Sequence, residues 1–126
     1  IELARRAGAQ LTAMHVVDHA NFVLVSDSTE AYLEAERVKL MRAMRRRLDD
    51  LVLREKPADV AVETLVAGGR PYEKILEVAE QRSMDIIVLN LHSKGVLERA
   101  FLGSTAERVV RLSRVPVFSV PVATEQ

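Results

Sequence analysis

The 126 residues contain no cysteine, which removes disulfides, thiolate metal sites and thiol redox chemistry together. Net charge is missing too. Eighteen Lys and Arg balance eighteen Asp and Glu, so no global field recommends the chain to nucleic acid or to a basic partner. Aromatic residues make up 4% of the chain, too few to build a platform on which bases could stack. No apolar run approaches the roughly 20 residues that span a bilayer, and no leader pattern is visible. The expectation is a cytoplasmic protein without membrane or nucleic-acid contacts. The length suits one domain, 1–126, that buries about two-thirds of its unfolded surface. Repeats, low-complexity segments and linkers are not apparent.

What is present centres on Asp85–Arg111. Ile86, Ile87, Val88 and Leu89 form an unbroken apolar run, which suits a parallel strand covered on both faces. A polar loop follows from Asn90 to Gly103. Ser104, with Glu107 three residues on, then reads as the N-cap of a capping box. Strand, loop and helix N-terminus together place free N–H groups and a positive dipole end where a phosphate could sit.

Elsewhere along the chain, Ile1–Ala7 reads as a helix stopped by Gly8. Gln10–Val17 is a strand, and Asp27, Ser28 and Thr29 before Glu30 carry helix-start chemistry. Leu33, Leu40, Met44, Leu48, Leu51 and Val52 trace the apolar stripe of a long helix that Pro57 ends. Asp59–Val66 is a strand broken by Gly68-Gly69, and Pro71 opens the next helix. Val115–Val122 is the last strand. Pro116 and Pro121 within it mark a sheet edge, because proline cannot donate to a ladder. Strands separated by helices predict crossover units: a doubly wound, mostly parallel α/β sheet with helices on both faces.

Asn90, Ser93, Gly103 and Ser104 carry a resemblance to the universal stress protein family. Its nucleotide-binding members show glycine, two residues, glycine, nine residues, then glycine with serine or threonine. The spacing is kept here, with Asn90 and Ser93 in place of the first two glycines. His92, Leu97, Glu98, Arg99, Leu102, Ala106, Glu107 and Arg108 also occupy familiar places, as do the Gly69-Arg70-Pro71 turn and the closing strand. The resemblance implies a five-stranded sheet of order 3-2-1-4-5. It also implies that the first strand lies ahead of Ile1. The chain is thus expected to lack an amino-terminal segment of about 20–30 residues, the usual size of such a unit, unless a partner exchanges a strand. It further implies a stress-response module, a homodimer joined through the Val115–Val122 edge, and ATP with magnesium at Asn90, His92, Ser93, Gly103, Ser104 and Thr105. With two glycines replaced and the family's nucleotide-contacting aspartate outside the chain, the expectation is weak or no ATP binding. The alternative is an ATP-binding switch, and a slow ATPase comes third.

Each residue singled out has a plainer reading. His92 could transfer protons or simply be a polar loop residue. His15 reads as a core or sheet-edge histidine and His19 as a loop residue, and their spacing to one another suggests no zinc site. Arg42, Arg45, Arg46 and Arg47 read as a solvated helix face in preference to a nucleic-acid site. Asp18, past a strand's carboxyl end, could meet a ribose or metal or could cap a turn. No set of nucleophile, base and acid is assignable, so no catalytic residue is expected.

Overall fold

The computed structural model describes residues 1–18, 30–55, 58–91 and 103–121. Along these, helices and strands alternate: α1 (Glu2–Ala7), β1 (Leu11–Asp18), α2 (Glu30–Glu55), β2 (Val62–Gly69), α3 (Pro71–Gln81), β3 (Ile87–Leu91), α4 (Ser104–Leu112) and β4 (Val117–Pro121). Both strand pairings are parallel, as strands separated by helices require. β1 lies beside β2 from Leu11↔Val62 to Asp18↔Gly69, and β3 beside β4 from Ile87↔Val117 to Leu91↔Pro121. These are the neighbours that the order 3-2-1-4-5 gives when its first strand is set aside. The four described strands stand as two two-stranded sheets. The chain divides correspondingly into two compact units, Ile1–Arg70 and Pro71–Gln126.

In the first unit, α1 is short and held by its ends. Glu2 in its first turn accepts hydrogen bonds from Arg5 and, at 2.7 Å, from Arg6 Nε. Arg6 and then Arg5 hold the Glu2 carboxyl below the usual carboxylate range. Gly8 stops the helix as the sequence predicts, in the left-handed conformation (φ 64°, ψ 31°) that only glycine adopts without cost. Its N–H bonds Arg5 O at 3.2 Å, and Ala9 N–H bonds Ala4 O at 2.9 Å, the paired bonds of a Schellman turn.

β1 begins one residue later than expected and includes Asp18. α2 runs 26 residues, with Leu33, Leu40, Met44 and Leu48 half-buried and Val52 buried. Leu51 departs from the expected stripe and is 47% exposed. Ion pairs between Glu34 and Arg37 (2.7 Å) and between Glu36 and Lys39 (3.6 Å) line its outer surface. Thr64 donates to Asp49 across 2.6 Å and ties β2 to α2.

β2 corrects the expected Asp59–Val66 range. Asp59 and Val60 form a turn, Val60 is buried there, and the ladder continues through Gly68 and Gly69. The glycines do not break the strand. Gly69 is its last rung, and its φ of 138° turns the chain out of the sheet.

In the second unit, Pro71 is the first residue of α3, where its missing N–H costs nothing. The helix ends on a second Schellman turn, with Met84 N–H on Ala79 O (2.9 Å) and Ser83 N–H on Glu80 O (3.2 Å). Here the left-handed residue is Ser83, at φ 51°.

Ala79, Ile87 and Val109 form the core, with Tyr72, Ile75, Leu76 and Leu89 packed against it. Val109 is completely buried. The unbroken run from Ile86 predicts two covered faces. Instead the burial alternates: Ile87 and Leu89 turn toward the core, while Val88 and its cross-strand partner Phe118 are exposed.

Candidate functional site

The loop between β3 and α4 is the place to which the sequence assigns chemistry, and the structure describes both of its ends. Asn90 is an exposed residue one rung from the end of β3, opposite Val120. His92 and Ser93 lie outside the described residues.

At the far end, Gly103 is extended (φ −64°, ψ 164°) and its carbonyl accepts the Glu107 N–H at 2.9 Å. Gly103 is therefore the N-cap and Ser104 the first helical residue, a correction of one position. The expected capping box does not form. Glu107 pairs instead with Arg111 at 2.8 Å, because an i, i+4 partner on the same helix face is nearer to hand, and no side chain caps α4.

The correction matters to the site. With the ladder starting at the Glu107 N–H, those of Ser104, Thr105 and Ala106 precede it and have no backbone acceptor among the described residues. Among the described residues, a Cβ built on Gly103 would meet nothing within 4 Å. Backbone geometry does not demand glycine there. A group approaching the N-terminus closely would. Ser104 is exposed and Thr105 half-buried, so a hydroxyl at the rim stands beside three N–H groups, donors of the kind an anion would need. These donors suit a phosphate oxygen, and the adenosine end of a nucleotide has no assigned contact among them. Arg108, one turn further along, sits 4.9 Å from the Tyr72 ring centroid and joins α4 to α3 through a cation–π contact.

The remaining candidates fall elsewhere. Asp18 is the half-buried last residue of β1, level with Gly69, and belongs to the first unit. His15 is exposed on β1, which settles the core-or-edge alternative against the core. His19 lies outside the described residues. Among the described residues no group of three or more His, Asp or Glu could hold a metal ion.

Two clefts escaped the sequence reading. One, of ≈ 420 Å³, lies where α3 and α4 end, lined among others by Leu76, Ser83, Met84, Ser113 and Arg114. Ser113 itself is occupied, donating to Val115 O at 2.7 Å and accepting its N–H at 3.0 Å. The other, of ≈ 450 Å³, lies between α2 and β2. Its signal was the spacing of Val38, Met41, Arg42, Arg45 and Arg46, which puts all five on one helix flank.

A parallel α/β protein with a helix N-terminus following a strand's carboxyl end is the class these elements define. The profile of the Universal stress protein family matches residues 1–121, and the chain belongs to that family. A universal stress protein of Methanocaldococcus jannaschii is 32% identical over 120 residues, 95% of this chain and 69% of that one. A second from the same organism is 27% identical over 96 residues, and the chain spans 59% of its length in that comparison. Its solved structure superposes with a TM-score of 0.78, covering 98% of this chain and 89% of that one; at 23% identity this likeness speaks for the fold alone. The structure of the universal stress protein UspA from Lactobacillus plantarum, 28% identical, matches with a TM-score of 0.65 over 94% of this chain and 82% of that one. No helix among the described residues is long and apolar enough to cross a membrane.

Proposed function

We propose that this domain is a cytoplasmic stress-response module that regulates through dimerisation and partner contacts, with weak or no ATP binding. The observation that carries the reading is the state of β4. Among the described residues it has one strand neighbour, β3, and Phe118 and Val120 are 47% and 43% exposed. An apolar strand with an open edge favours a second copy lying alongside it. Sedimentation equilibrium tests this. A dimer is expected for the wild type and a monomer for the Phe118→Lys, Val120→Lys double variant, in which like charges face each other. A wild type that stays monomeric at every concentration overturns the dimerisation in this reading.

The alternative, an ATP-binding switch, draws on the N–H groups of Ser104, Thr105 and Ala106, which have no backbone acceptor among the described residues, and on Gly103 ahead of them. Asn90, His92 and Ser93 would then supply polar contacts from the loop. A thermal-shift titration with ATP and magnesium separates the two. Ligand at 100 times its dissociation constant stabilises by about 2.7 kcal/mol, and a shift abolished by Gly103→Val promotes the switch. Phosphate release under the same conditions would promote the third reading, a slow ATPase.

A further inference from the structure

The cleft between α2 and β2 joins three features. Its floor is apolar, made by Val38 and Met41 of α2 and Val66 of β2. Its rim carries Arg42, Arg45 and Arg46. Its open side is the edge of β2 that has no strand neighbour among the described residues, because β2 pairs only with β1 and no β1 residue lines the cleft. The Thr64–Asp49 hydrogen bond ties β2 to α2 on the same face of β2 as Val66.

The charges are unbalanced. Arg45 reaches Asp49 only at 3.9 Å, and among the described residues neither Arg42 nor Arg46 has an ion-pair partner. Three guanidinium groups around an apolar floor, on a chain with zero formal net charge, make a local anion-seeking surface.

From Val38 to Arg46 the helix rises about 12 Å, the length of about four residues of extended chain. Side chains of an extended chain point the same way every second residue. Two of them therefore fit the cleft.

We infer that this groove takes a short extended segment of a partner protein, added as a strand to the free edge of β2, with an apolar side chain and a carboxylate two residues apart. The apolar group lies on Val38, Met41 and Val66, and the carboxylate meets Arg42, Arg45 and Arg46. Main-chain hydrogen bonds to β2 supply affinity, and the two side chains supply selectivity. The inference rests on the proposed action through partners but uses a surface distinct from β4. A failed peptide titration removes the groove alone, and a monomeric wild type removes the dimer alone.

The probe is a fluorescein-labelled peptide of sequence Val-Thr-Glu-Thr-Val-Thr-Glu, titrated with the full chain and read by anisotropy. Saturable binding is expected, with amide shifts along Val62–Gly69. Binding should weaken about tenfold or more in R42E/R46E, which turns two charge-assisted contacts into repulsions. The counterpart peptide with lysine for glutamate should not bind. Absence of saturation at millimolar peptide, equal binding of the lysine peptide, or undiminished binding by a folded R42E/R46E overturns the inference. So would binding that leaves the β2 amides unmoved, since that describes a diffuse ionic attraction without an added strand.

Discussion

The two units use the same parts, two parallel strands with helices against them, and distribute their apolar surface differently. In Pro71–Gln126 the helices are short and their apolar residues concentrated. Ala79, Ala106 and Val109 are buried, and the small side chains let α4 approach α3 closely. In Ile1–Arg70 one 26-residue helix buries only Val52, and its surface is laced with ion pairs spaced three or four residues apart. The second unit's helices depend on their tertiary contacts. α2 is long enough for local interactions to carry much of its helicity.

Damage to the core should therefore weigh most in the second unit. Val109→Ala removes two fully buried methyl groups and should destabilise by about 2 kcal/mol, read as a lower urea midpoint with loss of exchange protection in β3. The nearest equivalent in the first unit is Thr64→Val, which keeps the shape and takes one hydrogen bond from the half-buried Asp49 carboxylate, leaving it Arg45 at 3.9 Å. About 1–2 kcal/mol is expected. A larger loss from Thr64→Val than from Val109→Ala would reverse the contrast.

The paired Schellman turns sharpen it further. Ser83→Gly relieves a left-handed serine and should stabilise by about 1 kcal/mol, whereas Gly8→Ala should destabilise by a similar amount; both are measurable by thermal melting. Smallest is the α1 pair. The folded-state pKa of Glu2 is depressed, so its contribution is present above the ordinary glutamate range and fades as pH falls through the lowered value. In an NMR titration the Glu2 midpoint should lie below that of a free glutamate and return toward it in Arg6→Ala.

Much of this architecture was legible in the residues. Gly8 and Pro71 have conformational requirements that leave little choice, and both do what their chemistry predicts. Other features were hidden because the determining partner is remote or the residue atypical. Ser83 adopts a turn that sequence assigns to glycine, so nothing advertised it. Val88 looks like a buried residue and is exposed, since an apolar strand residue carries no mark of which face will be covered. At the loop, the spacing from Asn90 to Thr105 found a strand followed by a helix and missed both boundaries: β3 continues through Asn90 to Leu91, and the cap falls one residue early, at Gly103, although serine is the better capping residue by type. Arg42, Arg45 and Arg46 read as a solvated face because Val66, which turns that face into a groove, arrives twenty residues later.

The prolines of β4 have a consequence for colloidal behaviour. Pro116 precedes the strand and offers its carbonyl to Ile87 N–H at 2.9 Å, and Pro121 is the last rung. Neither ring nitrogen carries a hydrogen, so an incoming strand can be read along Val117–Val120 and little further. Four residues suffice for one discrete contact between two molecules. They are shorter than the six or seven that a fibril spine requires. The chain can thus leave an apolar edge open to a chosen neighbour while denying it the length from which endless stacking grows.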